Sequence, residues 1–198
     1  LYSTPDLAPH VRRRPDATLL PVPIDVQALP AWRPAARPRV FFASRWEGVK
    51  GLDVQLAVVE AVRRSAPGVD LVGVDWGVGA PAAADAGVRL LPRRPHAEFL
   101  ADLARAHVVV GQPTGMLAAS ELEALGMGIP VVAPLHLPWY EESGAAIPPV
   151  LGGVDLAHGR PLPPQDAQTS SARSLTGTEE CDLGNDIADV VLMALSDP

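Results

Sequence analysis

From residue 39 onward, short apolar runs alternate with segments in which apolar residues recur at helical spacing. Residues 40–44 (Val-Phe-Phe-Ala-Ser) predict a buried strand, and residues 52–64 predict a helix with Leu52, Leu56, Val59 and Val62 on one face. The same reading places strands at 69–74, 88–91, 107–111 and 129–133. It places helices at 97–105, started by Pro95, and at 118–127, ending near Gly128. Such strict alternation predicts an α/β fold with a doubly wound parallel sheet and right-handed crossovers. Ligands of such sheets bind at the carboxyl ends of the strands. Arg45, residues 73–77, Arg93, residues 113–119 and residues 134–142 all fall at those ends and are expected to converge on one edge.

The flanks read differently. Residues 1–38 are rich in proline and arginine, and 19–25 predicts an edge strand or an extended linker. After residue 150 the periodicity weakens. Gly152-Gly153 and residues 161–164 read as loops, and the polar stretch through 160–178 as a flexible loop. Residues 186–195 predict a closing helix that turns Ile187, Val190, Val191 and Leu195 to the core. No internal repeat is apparent.

Composition narrows the classes. At 198 residues, 47% hydrophobic and 20% charged, the chain is long and apolar enough to bury a core. A net charge of −7 disfavours nucleic acid and anionic membranes as partners. One cysteine, Cys181, excludes an internal disulfide and a Cys-rich zinc site. The five histidines, at 10, 96, 107, 136 and 158, show no metal-ligand spacing, so no metal is expected. The apolar runs are too short to span a bilayer, and no signal peptide is visible. The chain opens on Leu1 rather than Met, which reads as an excerpt. The Arg-for-Lys and Ala/Gly/Pro bias suggests a high-GC bacterial source.

That bias also singles out one residue. Of the sixteen Lys and Arg residues only Lys50 is a lysine. It lies in Arg45-Trp46-Glu47-Gly48-Val49-Lys50-Gly51, after the first predicted strand. A compact ammonium binds phosphate as a point charge, and a guanidinium binds it as a planar fork. Arg45 and Lys50 are therefore candidates for a diphosphate site; the alternative is a surface lysine and a strand-capping arginine. Further on, the predicted helix near Ala118–Ser120 offers free amides and a dipole to an anion. Glu123, one turn inside, is placed to accept two hydrogen bonds from vicinal hydroxyls; alternatively it is an exposed helix residue favoured by the dipole. Arg93-Arg94 reads as a solvated turn or as the neighbour of a nucleobase. Glu141-Glu142 reads as a solvated loop, and Asp6 and Asp25 as linker turns.

Taken in order, Arg45, Lys50 and Gly51 after the first strand, and the run Glu123-Ala124-Leu125-Gly126-Met127-Gly128-Ile129-Pro130-Val131-Val132, carry a family resemblance. The chain resembles the C-terminal nucleotide-sugar-binding domain of GT-B glycosyltransferases, most like glycosyltransferase family 4, over roughly residues 3–150. The resemblance implies a Rossmann-like domain over 39–198, with 1–38 as linker and remnant of an N-terminal domain missing from this chain. It implies a retaining, metal-independent hexosyltransferase that uses no cofactor. Such an enzyme moves a sugar from a nucleoside diphosphate sugar (UDP or GDP) to an acceptor glycan, lipid or small molecule. It would be cytoplasmic, or peripheral to the inner membrane face through the missing domain. Residue by residue, Arg45 and Lys50 would bind the diphosphate and stabilise the leaving group. Ala119 and Ser120 would present amides to the phosphates, Glu123 would hold the ribose and Arg93 would lie beside the base. One departure stands out. The family has a second glutamate, which contacts the sugar, eight residues before the one at 123; here that position is Gly115. Backbone groups from Thr114 to Leu117, Met116 included, a different sugar, or loss of activity would each account for it. The rival readings are a non-catalytic nucleotide-binding module, another GT-B enzyme such as a nucleotide-sugar epimerase, and an interaction domain that uses the fold alone.

Overall fold

The computed structural model describes residues 1–151, 154–155, 160–161 and 177–196. Five short strands form one all-parallel sheet. They are β1 (Arg39–Phe42), β2 (Asp70–Val74), β3 (Arg89–Leu91), β4 (Val108–Val110) and β5 (Val131–Val132), in the order β3-β2-β1-β4-β5. This is the doubly wound arrangement expected from the alternation. The order reverses beside β1, so a crevice opens at the carboxyl ends of β1 and β4.

Each strand is apolar on both sides because helices cover both faces. In β1, Val40 and Phe42 point to one layer and Phe41 to the other, as the period of two requires. The first layer contains α2 (Leu52–Ser65) and α7 (Gly177–Ser196). The second contains α4 (His96–Leu103) and α5 (Ala119–Gly126). Helix α2 is buried more broadly than a single stripe. Val54, Val58 and Ala61 join Val59 and Val62 in the interior, while Leu52 and Leu56 are only partly buried. The extra burial comes from α7. A Cβ on Gly184 would lie 2.4 Å from Ala57 Cβ, so this glycine lets the two helices approach.

A helix beyond those expected, α3 (Ala80–Asp85), fills the alanine-rich stretch before β3, with Pro81 in its first turn. Two expectations need correction. The segment holding Glu141 and Glu142 is not a solvated loop but α6 (Leu137–Ser143), opened by Pro138 and closed by Gly144 at φ +68°. Proline fits the first helical turn, whose N–H has no acceptor there anyway, and Gly144 supplies the left-handed stop. The closing helix is longer than 186–195 and packs against α2; Ile187 and Val191 are buried and Val190 and Leu195 half-buried, as their spacing suggests. The amino-terminal segment contains a short helix, α1 (Ala8–Val11), and then runs extended, with a single bridge between Tyr2 and Leu19. Arg33 N and Ala35 N donate to Ala104 O and Arg105 O, tying residues 33–35 to the end of α4. Two further strands, β6 (Val154–Asp155) and β7 (Arg160–Pro161), pair antiparallel. The loop reading of Gly152-Gly153, of residues 162–164 and of most of 160–178 falls outside the described residues. Among the described residues, no helix is long and apolar enough to cross a membrane.

Candidate functional site

The loops after β1 and β2 are built on one buried side chain. Trp46 has no exposed surface, and its indole Nε1 donates to Val74 O at 3.1 Å. Its backbone N donates to Trp76 O at 2.9 Å, and its carbonyl accepts from Gly79 N at 2.8 Å. Gly77 has φ +112°, and a Cβ there would sit 2.4 Å from Trp46 O. Only glycine fits at that contact, and the two loops are locked together as a result.

Arg45 leaves β1 on this mount. Its Nη1 lies 3.3 Å from Glu47 Oε2, and its guanidinium stands 5.1 Å from the centroid of the Trp76 ring. Arg93, after β3, stands 4.7 Å from the same ring. Lys50 points instead toward the loop after β4. Its Nζ donates to Gln112 Oε1 at 2.8 Å, and Gln112 Nε2 donates to Met116 O at 3.1 Å. Gln55 Nε2 donates to Lys50 O at 2.8 Å and holds the turn from beneath. Gly51 follows at φ +70°, with Pro113 Cγ 2.4 Å from where a Cβ would be. The arginine, the lysine and the 112–116 loop are thereby fixed relative to one another.

The loop that leads into α5 is anchored by a carboxylate inside the fold. Glu121 is fully buried. Its Oε1 accepts from Gln112 N at 2.9 Å, and its Oε2 accepts from Ala118 N at 3.1 Å. Ser120 Oγ lies 3.0 Å from the same oxygen and 3.3 Å from Ala43 O. The signal was present in the sequence: a glutamate at the third position of a helix commonly reaches back to the N-cap amide. This arrangement leaves the amides of Ala119 and Ser120, in the first turn, without intrahelical acceptors and free to meet an anion.

Glu123 lies one turn further, almost buried, with Oε1 2.7 Å from His96 Nε2. The His96 and Phe99 rings are nearly parallel, with centroids 6.4 Å apart, and Phe99 meets Phe41 edge-on. Neither His96 nor Phe99 carried a functional signal in the sequence. Arg93 and Arg94 lie in an exposed loop, where the Arg94 guanidinium is 3.7 Å from Glu98 and 3.8 Å from Asp102.

These groups surround one cavity of about 360 Å³ at the carboxyl edge of the sheet. Arg45, Arg93, Ala119, Ser120 and Glu123 line it together with Trp76, His96 and Phe99. Lys50, Gly115, Met116 and Leu117 do not. Lys50 flanks the site through Gln112, and Leu117 N is directed to the Tyr140 hydroxyl at 3.4 Å. Burial holds the Tyr140 phenol above its usual value, with a smaller contribution from Asp6 and Glu121. Gly115 has φ +90°, and a Cβ there would fall 2.8 Å from His136 Cβ and 3.0 Å from Trp139 Cζ3. The backbone conformation and these two rings, packed at 4.3 Å, exclude a side chain at 115. The cavity therefore joins cations and helix amides at one side to a carboxylate and aromatic rings at the other, a distribution suited to a nucleotide.

No family model and no curated protein matches the chain. Solved structures do. Sucrose-phosphate synthase from Thermosynechococcus elongatus aligns over 100% of this chain and 49% of its own, with TM-score 0.63 and 18% identity. S. aureus TarM, as a mutant in complex with Fondaparinux, alpha-GlcNAc-glycerol and UDP, aligns over 99% of this chain and 36% of its own, with TM-score 0.60 and 16% identity. The pneumococcal O-GlcNAc transferase GtfA, in complex with UDP and GlcNAc, aligns over 97% and 38%, with TM-score 0.56 and 12% identity. These proteins are GT-B glycosyltransferases, and this chain shares their fold. It spans about half or less of the length of each.

Proposed function

We propose that this chain is the donor-binding half of a retaining, metal-independent glycosyltransferase that takes a nucleoside diphosphate sugar. The observation that carries the reading is the cavity wall on which Arg45, the first turn of α5 and Glu123 follow one another. Arg45 and the free amides of Ala119 and Ser120 engage the diphosphate, and Lys50 approaches it from the opposite loop. Glu123 exchanges its bond to His96 for the ribose hydroxyls, and the base lies toward His96 and Phe99. In transfer, negative charge builds on the departing diphosphate. Fixed cations and amides stabilise that charge without reorganising, which is where such a site gains its rate. A sugar acceptor hydroxyl then attacks from a part of the protein that this chain does not span.

One observation favours a second reading. The exclusion of a side chain at 115 removes the sugar-contacting group that the family resemblance leads one to expect, so a module that binds nucleoside diphosphate without engaging its sugar fits the same cavity. Calorimetric titration of UDP, GDP and their sugar conjugates into the wild type and Lys50→Ala separates the two. The donor-binding reading expects tighter binding of one sugar conjugate than of its bare nucleotide, and loss of binding in the variant. Equal affinity for nucleotide and conjugate supports the module, and no binding by the wild type overturns both. Removing Lys50 also leaves Gln112 Oε1 buried without its donor, a cost of about 1–3 kcal/mol. A thermal midpoint measured alongside separates this from lost phosphate binding.

A further inference from the structure

We propose that Trp76 is a positioning residue for the phosphate-binding cations, and that through it Arg93 joins Arg45 on the donor's diphosphate rather than serving the base. The inference rests on the donor-binding reading and goes beyond it in naming which groups set the charge of the site.

Trp76 is 44% exposed and lines the cavity between Arg45 and Arg93. Its backbone is held rigidly. Trp76 N donates to Val74 O at 2.8 Å, its carbonyl accepts from Trp46 N at 2.9 Å, and the neighbouring Asp75 N donates to Leu91 O at 2.7 Å. The indole is thus mounted between the ends of β1 and β3, the two strands that deliver Arg45 and Arg93. The two guanidiniums stand 5.1 and 4.7 Å from its centroid, so they are no farther apart than a Debye length in 0.1 M salt, about 10 Å. Like charges so placed repel. The electron-rich face of an indole attracts each of them, which offsets that repulsion.

The carboxylates are unevenly shared. Arg45 has Glu47 beside it, whereas Arg93 has no carboxylate within 4.0 Å among the described residues; the nearby acids Glu98 and Asp102 are engaged by Arg94. A guanidinium without an anion, held beside a second one at the mouth of a cavity, is arranged for a ligand that brings two negative groups. A diphosphate does so and a monophosphate does not. Trp76 thereby acts through Arg45 and Arg93, fixing both before the ligand arrives and lowering the ordering cost of binding.

The test titrates UDP, UMP, GDP and GMP into the wild type, Trp76→Phe, Trp76→Leu, Arg93→Gln and Lys50→Ala, at 50 and 300 mM salt, with circular dichroism and thermal midpoints as fold controls. Trp76→Leu and Arg93→Gln are each expected to weaken diphosphate binding about tenfold and monophosphate binding less than threefold. Trp76→Phe, which keeps a π face, is expected to retain most of the affinity, and the salt dependence is expected to fall in Trp76→Leu. Equal losses in Trp76→Phe and Trp76→Leu, or equal losses for mono- and diphosphates, would overturn the proposal while leaving the donor site standing through the effect of Lys50→Ala. An Arg93→Gln variant that alters only the preference between UDP and GDP would return Arg93 to the base and overturn it as well. Absence of nucleotide binding in the folded wild type overturns the donor reading, and this inference with it.

Discussion

At Glu121 a carboxylate without exposed surface organises the loop that bears the site. Gln112 N, Ala118 N and the Ser120 hydroxyl surround its two oxygens. Replacing one oxygen by an amide group points a donor at a donor. Glu121→Gln is therefore expected to cost about 3 kcal/mol, the range for losing charged hydrogen bonds and stranding a buried amide. For a chain of this size that lowers Tm by about 10 °C, measurable by differential scanning calorimetry. Nucleotide binding should weaken too, because residues 112–118 lose their anchor. Acid sensitivity has a different residue at its root. Asp70 bridges Arg39 and Arg89, at 3.0 and 2.7 Å. Burial alone would raise its pKa, but the hydrogen bonds and charges of Arg89 and Arg39 outweigh burial and hold it below the usual carboxylate range. Burial, with the charge of Arg39, also depresses His107, whose Nδ1 accepts from Arg39 N. Both groups bind protons more readily when unfolded. Their contributions are complete above the unfolded values and are lost as pH falls through the folded ones, first for His107 and then for Asp70. Urea midpoints should decline from neutral pH downward, and Asp70→Asn should flatten the acidic limb without touching the part due to His107.

Between elements, a single glycine sets how closely two helices pack. Gly184 in α7 meets Ala57 in α2, where an added Cβ would lie 2.4 Å from Ala57 Cβ and 3.3 Å from backbone. Gly184→Ala gains about 1 kcal/mol of helix propensity. Overpacking costs about 1–3 kcal/mol, and here neither helix can yield because both pack on the sheet. The variant should be net destabilised in urea unfolding, and adding Ala57→Gly should recover stability relative to the single variant, a coupling that independent sites would not show. Period-two and period-3.6 patterns gave all five parallel strands and the α2, α4 and α5 helices to within a few residues, because apolar strands between covering helices leave a strong signal. They missed α3, whose alanines carry little amphipathic contrast, and α6, where proline and two glutamates read as a loop. The site divides likewise. Arg45 and Glu123 stand at positions the topology alone sends to one edge, and they do meet on one cavity wall. Trp76, His96 and Phe99 were not legible as site residues, since their roles depend on contacts with Arg45, Glu123 and Phe41, which lie far from them in sequence; Glu121 carried only the local signal of a helix N-terminus.

For the molecule as a whole, charge and completeness decide what the chain does alone. Its net charge of −7 opposes an anionic ligand at long range, while Arg45, Lys50 and Arg93 attract it at short range. Salt screens both, but groups inside a cleft are screened less than scattered surface carboxylates. The cleft itself is one-sided. The sheet edge supplies cations, amides and Glu123, and among the described residues no element of this chain closes over the cavity from the other side. The GT-B proteins that share the fold extend over roughly two to three times the aligned length. Positioning of two reactants contributes about 7–11 kcal/mol to such reactions when both are held in attack geometry. On the proposed donor-binding reading, this sheet edge holds only one of them. The isolated chain is therefore expected to bind a nucleoside diphosphate sugar weakly and to transfer it at a rate close to that of uncatalysed hydrolysis. Incubating the folded chain with labelled UDP- and GDP-sugars and following release of UDP or GDP measures this directly, with Arg45→Gln as the control for site-dependent turnover. Slow, non-saturable release that the variant does not change fits a donor half that needs an opposing domain. Rapid, saturable transfer abolished by Arg45→Gln would mean that this sheet edge carries the whole reaction, and the division between donor and acceptor halves would be wrong.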